Sequence, residues 1–240
     1  RARVADARRA RVEEKAEALV KRETDFLEGV VLPPGLRERL VRLATATRNA
    51  KQNRSPFRHM LLHGPPGTGK TLCAKRLAKA TGLEYALMSG GDVGPLGPEG
   101  VTALHALFRW ARTSTRGVLV FIDEAEAFLA SRANGRLTEH MRNALNAFLY
   151  QTGTQSPHFV LVLATNRASD LDEAVLDRTD EEIYVGLPDL PGRRTLVRLY
   201  YGIYLRRLAE LSTSRLARLW RVVRRLPAPL KVEAGVDEEE

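Results

Sequence analysis

The sequence predicts an α/β fold in which a parallel five-stranded sheet is covered by helices on both faces. From Phe57 onward, short apolar runs alternate with longer segments of helical periodicity, and this alternation is typical of parallel sheets. The central runs, 117–123 and 159–166, are almost wholly apolar, as expected of strands that are buried on both sides.

The apolar runs supply the predicted strands. They are HMLLH (59–63), EYALM (84–88), GVLVFID (117–123), FVLVLATN (159–166) and EIYVGL (182–187). The spacing of apolar residues between them predicts helices near 69–81, 100–113, 138–151 and 172–177. We therefore predict one α/β domain over residues 29–187.

A basic helical extension is predicted before this domain. Residues 1–28 are rich in Ala, Arg and Glu, and their apolar residues fall at loose helical spacing. LPPG (32–35) interrupts the pattern because proline breaks a helix, and a second helix is predicted from Leu36 to Arg48.

Residues 188–240 are predicted to form a short helical region and an acidic tail. LPDLPG (187–192) ends the sheet domain, and residues 193–226 are helical in pattern and rich in Arg. LPAPL (226–230) stops that pattern, and the chain closes with VDEEE (236–240).

The composition limits the classes of partner. A net charge of +9 is compatible with anionic partners, or with an Arg-rich genome alone. No recognition motif accompanies the basic residues, so we expect weak, salt-sensitive contacts and no specific recognition of nucleic acid.

The single cysteine, Cys73, excludes an internal disulfide and indicates a reducing compartment. No apolar run reaches the roughly 20 residues that span a bilayer, so we predict no transmembrane segment in this chain.

A phosphate-binding loop follows the first predicted strand. The pattern GxxxxGK[ST] is complete at Gly64, Gly69, Lys70 and Thr71. The alternative, a structural turn rich in Gly and Pro, would rarely contain all four residues at this spacing. Backbone N–H groups of such a loop, together with the following helix N-terminus, surround phosphate oxygens. Lys70 adds a charge at the β- and γ-phosphates, and the Thr71 hydroxyl is a hard ligand for Mg²⁺. The predicted nucleotide-binding residues are Gly64, Pro65, Pro66, Gly67, Thr68, Gly69, Lys70, Thr71 and Leu72.

Two carboxylates, Asp123 and Glu124, follow the apolar run 117–123. Ligands of open α/β sheets bind at the edge where strands end. Asp123 is predicted to hold Mg²⁺, and Glu124 to orient and deprotonate an attacking water. The alternative is a helix N-terminus, where the helix dipole favours carboxylates.

Two further residues are candidates for the reaction. Asn166 ends the run 159–166, where its amide could contact the γ-phosphate or the attacking water, or could cap the next helix. Arg178 could stabilise transition-state charge in a neighbouring subunit, or could pair with Asp177 or Asp180 at the surface. Its segment lies between the fourth and fifth predicted strands, so we expect it to reach a neighbour's γ-phosphate rather than its own.

These elements, in this order, resemble an AAA+ ATPase. Walker A corresponds to Gly64–Thr71, Walker B to Asp123 and Glu124, sensor 1 to Asn166 and the arginine finger to Arg178. The segments 29–71, 82–111, 117–129 and 145–153 further resemble the mitochondrial ATPase family AAA domain-containing protein 3, over about residues 24–204. SGGDVGPLG (89–97) and ATRNAKQNR (46–54) are the stretches that AAA+ proteins in general do not share.

The resemblance implies a function beyond the site itself. It implies an ATPase that uses ATP and Mg²⁺ and assembles into a homo-oligomeric ring, expected to be a hexamer. It also implies the mitochondrial inner membrane, association with nucleoids, and remodelling of membrane or nucleoid-associated partners.

The sequence departs from the AAA+ pattern in three places. Gly94–Gly97 lacks the aromatic residue that grips a threaded chain, and Val175 occupies the position of a second finger arginine. Residues 188–240 match only a partial or divergent helical lid. These departures leave open a nucleotide-gated oligomeric scaffold with little turnover.

Overall fold

The computed structural model describes residues 26–27, 29–132 and 138–206 of the chain. The strands are β1 (Met60–His63), β2 (Glu84–Ser89), β3 (Val118–Asp123), β4 (Phe159–Thr165) and β5 (Glu181–Tyr184). The helices are α1 (Pro34–Asn53), α2 (Lys70–Thr81), α3 (Glu99–Thr113), α4 (Glu139–Gln151), α5 (Glu173–Leu176) and α6 (Leu190–Tyr200).

The five strands form one parallel sheet in the order β2-β3-β4-β1-β5. The strand that precedes the phosphate-binding loop, β1, therefore lies between β4 and β5, although both follow it far along the chain. Leu62 is opposite Ala164 on one side and Ile183 on the other. The predicted parallel α/β sheet is confirmed.

Each face of the sheet carries its own apolar core, because successive side chains of a strand point to opposite faces. One face packs against α3 and α4 through Leu61, Val120, Ile122, Leu161, Phe108 and Phe148. The other packs against α1 and α2 through Leu62, Phe121, Val162, Leu40, Leu43 and Leu77. Strands β3 and β4 are buried on both faces, which explains their continuous apolar sequence.

Local signals account for the helix ends. Pro34 stands in the first turn of α1, where a missing N–H is tolerated, and Arg54 ends this helix in the left-handed conformation. Thr138 caps α4 by accepting from the Met141 N–H, and Asp172 caps α5 by accepting from the Ala174 N–H. Helix α1 is longer than predicted. It begins at Pro34, because proline is tolerated in the first turn, and it continues to Asn53, because no proline or glycine follows Arg48 until Pro56.

The chain forms two compact units, one ending at Pro188 and the other beginning at Asp189. The second unit contains α6, capped by the Asp189 carboxylate, and a π-helical turn at Tyr201–Arg206. Of the predicted extension 1–28, only Phe26 and Leu27 belong to the described residues. The predicted helix beyond 206, the remainder of the lid and the acidic tail lie outside them.

Candidate functional site

A cleft of about 730 Å³ opens where β1, β3 and β4 end. These are the three central strands of the sheet, and the loops that follow them meet at this edge. The Gly64 N–H donates to the Thr165 carbonyl oxygen, which joins the loop after β1 to the end of β4. The cleft is lined by Pro66, Gly67, Gly69, Lys70, Thr71, Leu72, Leu87, Ser89, Asp92, Asp123, Glu124 and Asn166.

The first glycine of the loop is required by packing as well as by conformation. Gly64 has φ +145°, and a Cβ at this position would lie 2.2 Å from the Val185 carbonyl oxygen. Only glycine lets the loop leave β1 in this direction beside the residue after β5. Gly67 and Gly69 also have positive φ, and the loop closes with the Thr68 hydroxyl donating to the Pro65 carbonyl oxygen. Of the predicted nucleotide-binding residues, Gly64, Pro65 and Thr68 thus shape the turn and do not line the cleft, whereas the other six line it.

Lys70 is buried at the base of the cleft. Its Nζ donates to the carbonyl oxygens of Gly64 and Pro65, both at 2.8 Å, and to Asn166 Oδ1 at 2.9 Å. Burial lowers the pKa of Lys70, whereas the carboxylates of Asp123 and Glu126 favour its charged form. The ammonium therefore stays in place through three polar acceptors and nearby negative charge.

The side-chain oxygens of Thr71 and Asp123 lie next to each other. The Thr71 hydroxyl donates to Asp123 Oδ2 at 2.7 Å, across the gap between α2 and β3. Hydroxyl and carboxylate oxygens are the ligands that Mg²⁺ prefers, and Mg²⁺ usually takes few protein ligands beside substrate phosphates. Among the described residues no cluster of three His, Cys, Asp or Glu side chains could hold a metal ion by itself. The pair thus fits a Mg²⁺ that arrives with a phosphate.

Glu124 is exposed to the cleft. It has φ +50°, a left-handed conformation that non-glycine residues rarely adopt and that is concentrated at functional sites. Its N–H donates to Asp123 Oδ1 at 3.1 Å. Only a short turn, Ala125–Ala127, follows it, and the side chain makes no capping hydrogen bond. The structure thus places Glu124 in the cleft and not in the first turn of an α-helix.

Asn166 lies beyond the last residue of β4. Its side chain accepts from Lys70, and its backbone N–H donates to Glu126 Oε1 at 3.4 Å. The next turn, Ala168–Asp170, begins at Arg167 without a side-chain cap. The side-chain amide of Asn166 therefore contacts Lys70 in the cleft and does not cap a helix.

Arg178 lies outside the cleft, near the edge where the strands begin. It shortly precedes Asp180, whose N–H donates to the carbonyl oxygen of His59, just before β1. The guanidinium donates through Nη1 to the Ala174 carbonyl oxygen. Among the described residues it forms neither of the ion pairs considered above, and its Nε is buried without a partner. Val175 is fully buried in the core, where an arginine could not be solvated.

A model of the AAA family, ATPase family associated with various cellular activities, matches residues 60–187. This range includes every strand of the sheet. The chain belongs to the AAA family of ATPases.

Relatives of this AAA chain are similar over most of its length. It is 52% identical over 198 residues to human ATPase family AAA domain-containing protein 3A, covering 82% of this chain and 34% of the relative. It is 50% identical over 192 residues to the Drosophila melanogaster homolog of that protein, covering 80% and 32%. The chain spans about a third of the length of these curated relatives.

A solved AAA structure has a similar fold. The crystal structure of the FIGL-1 AAA domain in complex with ADP matches with a TM-score of 0.62 and 26% identity. The match covers 73% of this chain and 60% of that chain. No helix in the described ranges is both long and apolar enough to cross a membrane.

The structure adds four residues to the site of this AAA domain that the motifs did not indicate. Leu87, Ser89 and Asp92 line the cleft, and Glu126 contacts Asn166. Ser89 is opposite Asp123 in the ladder between β2 and β3. The segment SGGD (89–92), which begins at the last residue of β2, is the sequence feature that could have indicated Ser89 and Asp92. The strand order is needed to place this segment beside Asp123 and Glu124.

Proposed function

We propose that this chain binds ATP with Mg²⁺ and hydrolyses it. One observation carries the proposal: Lys70, Thr71, Asp123, Glu124 and Asn166 converge on a single cleft. Each has the chemistry that one part of phosphoryl transfer needs. The AAA structure solved with ADP supports a nucleotide in the equivalent cleft.

The residues have separate roles in binding. Lys70 exchanges one of its present acceptors for phosphate oxygens, and the N–H groups of the phosphate-binding loop surround the same phosphates. Thr71 and Asp123 would hold Mg²⁺, which neutralises developing charge on the phosphates when bound. Leu72, exposed at the cleft, offers an apolar contact to the rest of the nucleotide.

Hydrolysis requires a base and a positioned water. Glu124 accepts a proton as the water oxygen bonds to the γ-phosphorus and the bond to the β–γ bridging oxygen breaks, releasing ADP and phosphate. Its exposed carboxylate stands at the cleft, and the Asn166 amide, which contacts Lys70 there, would orient the water or the γ-phosphate.

The setting of this reaction is proposed from the relatives. At 50–52% identity, we infer a homo-oligomeric ring, expected to be a hexamer, at the mitochondrial inner membrane with nucleoid association. Turnover would then be coupled to remodelling of membrane or nucleoid-associated partners. Arg178, which does not line its own cleft, is available to a neighbour in such a ring.

A second candidate is a nucleotide-gated oligomeric scaffold with little turnover. The turn Gly94–Leu96 carries no aromatic side chain, which favours this reading because a threading ATPase needs a side chain that grips its substrate. The presence of both Glu124 and Arg178 favours hydrolysis.

One experiment separates the two candidates. The full chain is mixed with ATP and Mg²⁺, and its mass by light scattering is recorded together with phosphate release. Assembly with sustained release supports an ATPase, and assembly without release supports the scaffold. Absence of any response to nucleotide, in a folded chain, would contradict both.

A further inference from the structure

The turn after β3 carries a second carboxylate, Glu126, that the proposed reaction leaves without a role. Glu126 Oε1 accepts from the Asn166 backbone N–H at 3.4 Å. Its Oε2 is buried and has no hydrogen-bond partner in the described part of the chain. Burial of an unpaired polar oxygen costs free energy of folding, so the placement of this carboxylate calls for an explanation.

Asn166 is held at two points. Lys70 donates to its side-chain oxygen, and Glu126 accepts from its backbone N–H. An ammonium has three N–H donors, and Lys70 uses them on Gly64, Pro65 and Asn166. A phosphate oxygen that binds Lys70 must therefore displace one of these acceptors, whereas the contact with Glu126 does not involve Lys70.

Asn166 lies just beyond the sheet, where a second contact helps to fix its position. Strand β4 ends at Thr165, and Asn166 is exposed, so neither the ladder nor packing holds it. Strands β3 and β4 are neighbours, which brings the turn Ala125–Ala127 beside the loop after β4.

We propose that Glu126 is a positioning residue that holds Asn166 at the cleft through its backbone N–H. It links the Walker B turn to the sensor loop, so that Asn166 stays in place when Lys70 turns to phosphate. This inference rests on the proposed function, because Asn166 acts there on the γ-phosphate or the attacking water. A shift of about 1 Å in such a group can cost about a hundredfold in rate.

The test compares Glu126→Ala and Glu126→Gln, with Glu38→Ala as the control. Glutamine keeps an acceptor oxygen for the Asn166 N–H, whereas alanine removes it. Glu38 is an exposed acid on α1 that pairs with Arg42, so its loss removes the same charge elsewhere. Three quantities are measured on the full chain: amide hydrogen exchange of Asn166 without nucleotide, affinity for an ATP analogue, and turnover.

We expect Glu126→Ala to speed exchange of the Asn166 amide and to lower kcat by roughly tenfold to a hundredfold, with affinity within about threefold. Glu126→Gln and Glu38→Ala should stay within about twofold of the wild type in kcat. In an Asn166→Ala background, Glu126→Ala should cost less than about twofold more, because the two residues act as one unit. A general loss of structure would instead speed exchange throughout β3 and β4.

Unchanged exchange of the Asn166 amide in a folded Glu126→Ala variant would overturn the proposal, as would additive losses in the double variant. If the alanine variant does not fold, Glu126→Asp supplies the same test, because its shorter side chain keeps the charge and loses the reach. If the wild type shows no turnover but the amide responds, the positioning role stands and the proposed function fails.

Discussion

Three acceptors hold the Lys70 ammonium in the structure, and two of them are carbonyl oxygens of its own loop. The side chain is thus placed at the base of the cleft before any phosphate arrives, with little rotamer freedom left to lose on binding. Affinity for nucleotide should therefore depend strongly on this one residue.

Replacement of Lys70 by alanine is expected to abolish nucleotide binding. Hydrogen bonds to charged groups contribute about 1.5–3 kcal/mol each, so the loss should be on the order of a hundredfold or more. Binding of a fluorescent ATP analogue measures it, and Lys75→Ala, an exposed lysine of α2, is the control. Wild-type affinity in a folded Lys70→Ala chain would contradict the Walker A assignment.

Replacement of Glu124 by glutamine is expected to retain ATP without hydrolysing it. The amide keeps the shape of the carboxylate and removes its basicity, so turnover should fall by about 10²–10⁴. Phosphate release and analogue binding, measured on the same preparation, separate the two effects. Turnover within about twofold of the wild type would show that another group is the base.

At the scale of elements, Gly90 in the turn after β2 packs directly against the backbone of Glu124 in Walker B. A Cβ at residue 90 would lie 2.3 Å from the Glu124 carbonyl oxygen, whereas a Cβ at residue 91 would meet only side-chain oxygens, the nearest 3.6 Å away. The backbone of Gly90 thus sets where Glu124 stands, and only glycine allows the approach.

Gly90→Ala should therefore displace Glu124, with Gly91→Ala as the matched control. We expect a loss of about 1–3 kcal/mol in the free energy of unfolding and a roughly tenfold fall in kcat for the first variant. The second should stay close to the wild type in both. Chemical denaturation and phosphate release measure the two effects, and equal behaviour of the two variants would contradict the close approach.

The edge where the strands begin contains a buried histidine. His59 is 3% exposed, its ring stacks on Phe159, and its Nδ1 accepts from the Leu161 N–H. Its Nε2 is buried without a partner among the described residues. Burial lowers the pKa of His59, and the Asp180 carboxylate, which accepts from the His59 backbone N–H, opposes this shift.

This shift predicts a pH-dependent stability. The unfolded chain takes up a proton near the ordinary histidine pKa of about 6.5, before the folded chain does, so stability is full above that pH. It should fall as the pH drops from about 6.5 toward the lower folded pKa. Denaturation midpoints between about pH 5 and 8 test this, with His59→Asn expected to flatten the profile and His140→Asn, at an exposed site, to leave it unchanged. A flat wild-type profile would show that His59 is not buried in its neutral form.

At the scale of the whole molecule, no arginine among the described residues lines the cleft. Arg178 follows α5 and lies near the beginning of β5, whereas Lys70 follows the loop at the end of β1. Because all strands run in the same direction, these are opposite edges of the sheet. If Arg178 takes part in the proposed reaction, it therefore acts in the cleft of a neighbouring chain.

Arg178→Ala should leave ATP affinity nearly intact and lower turnover, by up to the 10³–10⁵ typical of arginine fingers. Mixing tests the trans role directly, since an Arg178→Ala chain keeps Lys70 and Glu124, and a Lys70→Ala chain keeps Arg178. Together in one ring they should restore hydrolysis that neither shows alone. If mixed assemblies form and stay inactive, Arg178 acts only on its own α5.

Local sequence patterns predict the secondary structure of the sheet domain and several residues of the cleft. The strands and helices of the sheet domain follow from apolar periodicity and from breakers such as LPPG, because secondary structure depends on which face of a short segment is apolar. Lys70, Thr71, Asp123 and Glu124 were predictable because the loop and the strand end that carry them are contiguous motifs. The sequence by itself thus determined the fold class and the motif residues of the cleft.

Only the tertiary structure decided the rest, because strand order joins segments that are far apart in the chain. It placed β1 between β4 and β5, and so put Asn166 within hydrogen-bond distance of Lys70. It also packed Gly90 on the Glu124 backbone and aimed the Glu126 carboxylate at the Asn166 N–H. These contacts depend on interatomic distances between separate elements, which no local periodicity encodes.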